Sequence, residues 1–212
     1  MIEPLNTTPT TKREKSEKRI FHAAIKVIAE QGYHNTRISD IAQEAGVAYG
    51  LVYHYFGSKE KIMYKILDEV TKKFSERIDK IDSETISTLE KLARISDYMF
   101  DTYLASKEVI KLLINEIVKE PKVDKELLIS TRILDRITLI IENGKEKKEI
   151  DNFIEPKIFT LVFFGAIQML LASLVSNYYQ SESPNQTIKK FKNQIRSMLF
   201  RDLKNTKPIS FL

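Results

Sequence analysis

Apolar residues recur at intervals of three and four positions along almost all of this 212-residue chain, which is the spacing of one helix face. No stretch alternates apolar with polar residues for long enough to indicate a strand. The first apolar run belongs to a helix that follows the capping pair Thr11 and Glu14 and ends at Gly32. The pattern therefore predicts an all-α fold.

The same spacing predicts about nine helices in total. Two short helices over 38–45 and 49–56 precede a long helix over 59–81. Later helices are predicted from about Ser87, over 108–120, over 124–143 with Gly144 as C-cap, from Pro156, and over 183–204 behind the capping residue Ser183. We predict a disordered arm over 1–11, a three-helix domain over 12–58, and a larger helical domain over 59–212 that helix 59–81 links to the first.

The two short helices have the arrangement of a helix-turn-helix. Gly46 stands between them and can take the positive φ that a sharp turn requires. Val47, Leu51 and Val52 are predicted to face the core, as are Tyr55 and Phe56. The opposite face of the second helix then carries the candidate DNA contacts Tyr49, Gly50, Tyr53 and His54, with Lys59 beyond its end. The alternative is a small helical domain that binds no DNA, in which such helix pairs also occur.

Charge favours an anionic partner but does not locate it. The formal net charge is +5, and basic residues cluster over both 12–37 and 183–212. The second cluster lies on the polar face of the last helix, where it is either solvated or contacts an acidic partner or a membrane surface. There is no cysteine, and the N-terminus lacks the pattern of a secretory signal, so we expect a cytoplasmic protein.

Residues 158–175 form an uncharged run long enough to span a membrane. Gln168 lies in its middle, and Gly165 and Ala166 would allow another helix to approach closely. We therefore favour a helix buried partly by its own domain and partly by a second copy of the chain. A membrane-associated helical protein anchored by 158–175 remains the alternative, but no stable membrane insertion is expected.

An enzyme is not expected, because all three histidines, His22, His34 and His54, lie in the first 54 residues. We predict no catalytic residue, no metal site and no cofactor. A ligand pocket is predicted instead in the larger domain, whose core is mostly aliphatic, so the expected effector is apolar or amphipathic, such as a long acyl chain. Its candidate lining residues are polar or adaptable side chains on apolar helix faces: Tyr103, Asn115, Arg132, Gln168 and Met169.

Residues 15–65 also carry a recognisable motif. The segments Gly32-Tyr33, Asp40 to Val47 and Gly50 to Lys61, the last of which reads GLVYHYFGSKEK, resemble the N-terminal domain of the TetR (tetracycline repressor) family in order and spacing. The resemblance implies a homodimeric, ligand-responsive repressor that binds a near-palindromic DNA operator. It also implies dimerisation through helices 156–179 and 183–204.

Position by position, the resemblance implies eight DNA-binding residues. Thr36, Arg37 and Lys59 would contact phosphates, Tyr49 and Gly50 would contact bases, and Tyr53 and His54 the backbone or an adjacent base. Ala48 stands at the start of the recognition helix, where the family commonly places a Ser or Thr cap. Arg37 and Lys61 are further departures, because the family often has a capping Ser or Thr at the first and an acid at the second. Arg37 and Ala48 therefore predict weak caps on the two short helices, and Lys61 predicts a weaker cap at Ser58 before the long helix.

Overall fold

The computed structural model describes residues 12–119, 129–179 and 183–199. Within those ranges the chain forms nine helices and no strand, which confirms the all-α prediction. Their bounds are α1 (Lys12–Gln31), α2 (Ile38–Ala45), α3 (Tyr49–Phe56), α4 (Lys59–Asp82), α5 (Thr88–Ala105), α6 (Lys107–Lys119), α7 (Ile129–Glu146), α8 (Pro156–Val175) and α9 (Pro184–Leu199). The predicted arm over 1–11, the cap at Thr11 and the predicted start of α7 at Asp124 lie outside the described residues.

The chain divides into two compact units. The first unit contains α1 to α3, α4 as far as Val70, and α6. The second unit contains the remainder of α4 from Thr71, α5 as far as Leu104, and α7 to α9.

In the first unit α1 is buried on most of its circumference between Ile20 and Ala29. One side of it packs against α2 and another against α6, whose apolar residues Val109, Ile110 and Leu112 are buried. A helix needs this many apolar positions only when it is covered from several directions. The sequence periodicity indicated the core face of α1, but it did not indicate α6 as its partner.

The second unit is held by apolar packing and by ion pairs between helices. Phe100 and Phe163 are fully buried, and the Phe100 ring lies 6.1 Å from that of Phe191 on α9. At the edge of the α5–α9 contact, Lys192 Nζ is 2.6 Å from Asp101 Oδ1 and Arg196 Nη2 is 2.7 Å from Asp97 Oδ2. Part of the basic face of α9 is therefore neutralised within the unit.

The sequence predicted Gly144 as the C-cap of α7, and this prediction is wrong. The helix continues to Glu146, and the left-handed turn falls at Lys148, whose φ is 57°. A Cβ at position 144 would lie 2.6 Å from Thr88 Oγ1 and 2.9 Å from Ile150 Cγ1. The glycine is therefore required for close packing inside the helix, not for a turn at its end.

α8 is the uncharged run that suggested a membrane span. Among the described residues it is the one helix long and apolar enough to cross a membrane by length and composition. One face, including Phe163, Ile167 and Leu171, is buried in the second unit. The other face is exposed and apolar, and its members are Ile158, Leu161, Val162, Gly165 and Met169. We call these five residues the α8 outer face.

Candidate nucleic-acid interface

The turn between α2 and α3 has the geometry predicted for Gly46. Its φ of 62° and ψ of 42° are left-handed, and the N–H groups of Gly46 and Val47 donate to the carbonyls of Gln43 and Ala42. Arg19 on α1 adds a second restraint, because its Nη2 donates to the Ala45 carbonyl at 2.5 Å and to the Gly46 carbonyl at 3.3 Å. The guanidinium thus satisfies acceptors that the end of a helix leaves unpaired.

α3 separates a core face from an exposed face as the sequence predicted. Val52 and Phe56 are buried, whereas Tyr49 is 53% exposed and Tyr53 is 44% exposed. Gly50 and His54 are exposed as well. The four predicted contact residues on α3 therefore share one surface, which we call the α3 outer face.

The two tyrosines of this face form a pair. Their rings are 5.1 Å apart and inclined by 60°, and the Tyr49 hydroxyl donates to the Tyr53 hydroxyl at 3.1 Å. This hydrogen bond raises the pKa of Tyr49 above its ordinary value. The pair presents two aromatic rings held against each other on one face of the helix.

The start of α2 lacks a capping hydroxyl, as Arg37 predicted, and a carboxylate in its first turn accepts the N–H of the N-cap residue. Arg37 is the N-cap residue, and its N–H donates to Asp40 Oδ2 at 2.9 Å. Its own side chain is exposed, where it can reach a phosphate.

Thr36 does not stand at the surface, where a phosphate contact would require it. It is 2% exposed, and its hydroxyl donates to the Gly32 carbonyl at 2.9 Å. This placement does not support the phosphate contact expected of it, because the hydroxyl is committed to closing the turn after α1.

Lys59 is also placed differently from the expectation of a phosphate contact. Its ammonium donates to the carbonyls of Tyr33 at 2.8 Å, Thr36 at 3.0 Å and His34 at 3.4 Å. It also lies 4.4 Å from the centre of the Tyr33 ring. All three ammonium protons thus have acceptors in the segment between α1 and α2. We call this arrangement the Lys59 clamp.

α3 lacks a side-chain cap, as Ala48 predicted, whereas α4 keeps the Ser58 cap that Lys61 was expected to weaken. Ala48 is the N-cap of α3 and makes no side-chain hydrogen bond there. At α4, Ser58 Oγ accepts from the Lys61 N–H at 3.2 Å. The Glu60 carboxylate accepts hydrogen bonds from the backbone N–H of Glu60 and from the hydroxyls of Ser58 and Tyr33. These bonds lower the pKa of Glu60 below its ordinary value. The first turn of α4 is therefore capped, whereas α3 depends on packing.

Sequence reasoning missed the contacts that join α1 to its neighbours. Besides Arg19, Lys26 Nζ lies 2.7 Å from Glu44 Oε1 on α2, and Lys65 on α4 pairs with Glu17. Each of these side chains also reads as an ordinary charge on a solvated helix face. No local spacing identifies their partners, since those partners lie elsewhere in the chain.

The five predicted pocket residues do not share one environment. Tyr103 is buried and Gln168 half-buried, but Arg132 is exposed and Met169 is 72% exposed. The side chain of Asn115 lies outside the part of the chain that the structure describes. Met169 belongs to the α8 outer face, which fits a surface contact better than a ligand pocket.

Two short helices that meet at a left-handed glycine, with the second helix exposing one face, form the helix-turn-helix of DNA-binding proteins. The match to the family described as "Bacterial regulatory proteins, tetR family" covers residues 20–65. The fatty acid metabolism regulator protein of Bacillus subtilis (strain 168) is 32% identical over 164 residues, which cover 75% of this chain and 83% of the relative.

Solved structures agree over a longer span. The transcriptional regulator FadR from Bacillus subtilis, in complex with stearoyl-CoA, gives a TM-score of 0.72 at 27% identity and covers 84% of this chain and 97% of that one. The fatty acid degradation regulator FadR from Bacillus halodurans gives 0.70 at 23% identity, with 84% and 97% covered, which shows the fold. The chain belongs to the TetR family: it is a transcriptional regulator with an N-terminal helix-turn-helix.

Proposed function

We propose that this protein is a cytoplasmic homodimeric repressor that binds a near-palindromic operator and is released by a long-chain acyl effector, with acyl-CoA the first candidate. Residues 12–58 act as the DNA-binding domain and residues 59–212 as the effector-binding and dimerisation domain. The observation that carries the proposal is the α3 outer face, which stands exposed beside a fixed turn.

The DNA contacts follow from what the first unit leaves accessible. Tyr49 and Gly50 contact bases, and Tyr53 and His54 contact the DNA backbone or an adjacent base. Arg37 contacts a phosphate at the start of α2, where its exposed side chain lies. Thr36 and Lys59 act indirectly, because their polar groups hold the turn between α1 and α2.

Dimerisation is supported by the α8 outer face. Ile158 and Leu161 are 62% and 60% exposed in the isolated chain, and Val162 continues the same surface. An apolar stripe of this kind on a charged protein indicates an interface, and a twofold axis would pair it with itself. We therefore assign Met169 to this interface, which also includes the exposed side of α9. Two recognition helices related by that axis would bind half-sites about one helical turn of DNA apart.

The acyl effector is supported by two independent considerations. The core of the second unit is aromatic and aliphatic, and a ligand that enters it must be largely apolar. The similar FadR of Bacillus subtilis was solved with stearoyl-CoA, and the similar curated protein is a regulator of fatty acid metabolism.

A binding experiment on the purified chain tests both halves of the proposal. The operator is obtained by selection from random duplex DNA, and affinity is measured by fluorescence anisotropy. Tyr53→Ala should weaken binding about tenfold or more, whereas Tyr64→Ala, which removes a tyrosine of similar exposure on α4, should leave it unchanged. Stearoyl-CoA at micromolar concentration should release the wild-type protein, and coenzyme A alone should not.

Two results would contradict the proposal. Equal operator affinity for Tyr53→Ala and Tyr64→Ala would remove the α3 outer face from the interface. Operator affinity that stays unchanged with acyl-CoAs of all chain lengths would contradict the proposed acyl effector and leave the proposed DNA binding intact.

A further inference from the structure

The side chains of α3 are unusual for a helix that reads bases. Its sequence is YGLVYHYF, which contains no arginine, lysine, asparagine or glutamine. Those four residue types supply the strong contacts to base edges: arginine and lysine pair with guanine, and asparagine and glutamine pair with adenine in a bidentate manner. α3 therefore lacks side chains that distinguish guanine or adenine by two simultaneous hydrogen bonds.

The tyrosine pair reduces the hydrogen-bonding capacity of the face further. Because the Tyr49 hydroxyl donates to the Tyr53 hydroxyl, one of the two phenolic protons is used within the protein. A single donor remains, on a hydroxyl that can rotate and that contacts only one acceptor at a time. Most of the surface that the pair presents is aromatic carbon, because Tyr49 is 53% exposed and Tyr53 is 44% exposed.

The residues beside the tyrosines are small and apolar. Ala48 is the exposed N-cap residue just before α3, and its methyl group stands in place of a polar cap. Gly50 follows, and no atom lies within 4 Å of the place where its Cβ would stand. The start of α3 can thus approach the floor of a groove closely and brings apolar groups with it.

We propose that α3 reads thymine: Ala48, Tyr49 and Tyr53 form an apolar surface that recognises the 5-methyl groups of thymines in each half-site. Among the major-groove edges of the four bases, the thymine methyl is the apolar feature. This inference rests on the proposed DNA-binding function and adds to it the chemical class of sequence that the face selects. His54, four residues after Gly50, lies beside this surface and supplies a polar contact to a neighbouring base or phosphate.

The test replaces thymine by deoxyuridine, one position at a time, in the selected operator. This exchange removes the methyl group but keeps base pairing and every groove hydrogen-bond donor and acceptor. Binding should weaken about fourfold at each recognised thymine, which is the value of burying one methyl group. Exchanges at the centre of the operator, between the half-sites, should have no effect.

Two variants identify the side chain responsible. Tyr49→Ala should abolish the difference between thymine and deoxyuridine at the positions that Tyr49 contacts. Tyr49→Phe keeps the ring and should keep the difference. A difference between thymine and deoxyuridine that persists in Tyr49→Ala would overturn the proposal. A difference that disappears in Tyr49→Phe as it does in Tyr49→Ala would also overturn it, in favour of recognition by the hydroxyl.

The outcome separates this inference from the function on which it rests. An operator bound equally well with thymine or deoxyuridine at all half-site positions would overturn thymine recognition and leave DNA binding intact. A chain that enriches no sequence from random DNA would overturn both.

Discussion

Lys59 provides the sharpest test of how the DNA-binding unit is held together. Replacing it by methionine keeps most of the aliphatic side chain but removes the ammonium, which donates to the carbonyls of Tyr33, His34 and Thr36. The Tyr33 carbonyl then keeps the Thr36 N–H as a donor. A hydrogen bond from a charged donor contributes about 1.5–3 kcal/mol in buried sites. One of the three bonds is long and the site is half-buried, so water replaces part of the loss. We expect Lys59→Met to lower the free energy of unfolding by about 2 kcal/mol.

The measurement has two parts. Urea denaturation at fixed protein concentration gives the free energy of unfolding. Unfolding is monitored by far-ultraviolet circular dichroism, because the chain has no tryptophan. Operator affinity as a function of salt concentration then separates the clamp from a phosphate contact. Losing a phosphate contact reduces the slope of log K against log salt by about 0.9, whereas losing the clamp leaves the slope unchanged.

The matched control is Lys61→Met, which removes an exposed lysine from the same turn of α4. Its free energy of unfolding should stay within about 0.5 kcal/mol of the wild type. The reasoning would be refuted if Lys59→Met were as stable as Lys61→Met and showed the reduced salt slope. Lys59 would then contact phosphate, and its contacts with the turn would be dispensable.

Three further variants test separate parts of the structure. Gly144→Ala should lower the free energy of unfolding by about 1–3 kcal/mol, because the new Cβ meets Thr88 at 2.6 Å; an unchanged melting temperature would contradict that packing. Ala48→Ser should stabilise the free protein by about 1 kcal/mol by capping α3, and a loss of stability in urea denaturation would contradict this. Leu161→Lys should give a monomer in sedimentation with weakened binding to the full operator, whereas the control Glu142→Lys on α7 should stay dimeric; a dimeric Leu161→Lys protein would exclude the α8 outer face as the interface.

Local signals explain why the helix-turn-helix could be predicted from sequence. Gly46 and Gly57 both adopt positive φ, and each ends a short helix where the sequence placed that end. The exposed and buried faces of α3 follow from periodicity alone, so the accessibility of Tyr49 and Tyr53 was predictable. The start of α8 at Pro156 is another local signal, since Glu155 accepts from the Ile158 N–H at 2.6 Å.

What could not be predicted depends on partners distant in the sequence. Lys59 resembled a phosphate contact because its carbonyl acceptors belong to an earlier turn. Gly144 resembled a C-cap because nothing near it reveals the approach of Thr88. Thr36 carries a hydroxyl that suits a phosphate contact, yet that hydroxyl donates to the Gly32 carbonyl inside the turn. In each case tertiary packing sets the contacts of the residue, and those contacts cannot be identified from residue type alone.

The sequences that the protein selects from random duplex DNA test the central claim most directly. If the α3 outer face reads the operator, the wild-type chain enriches an inverted repeat with half-sites about one helical turn apart. Tyr49→Ala, whose side chain is 53% exposed in the wild type, should enrich that repeat poorly or enrich a different one. Enrichment of the same repeat by both proteins, or of no sequence by the wild type, would contradict the account.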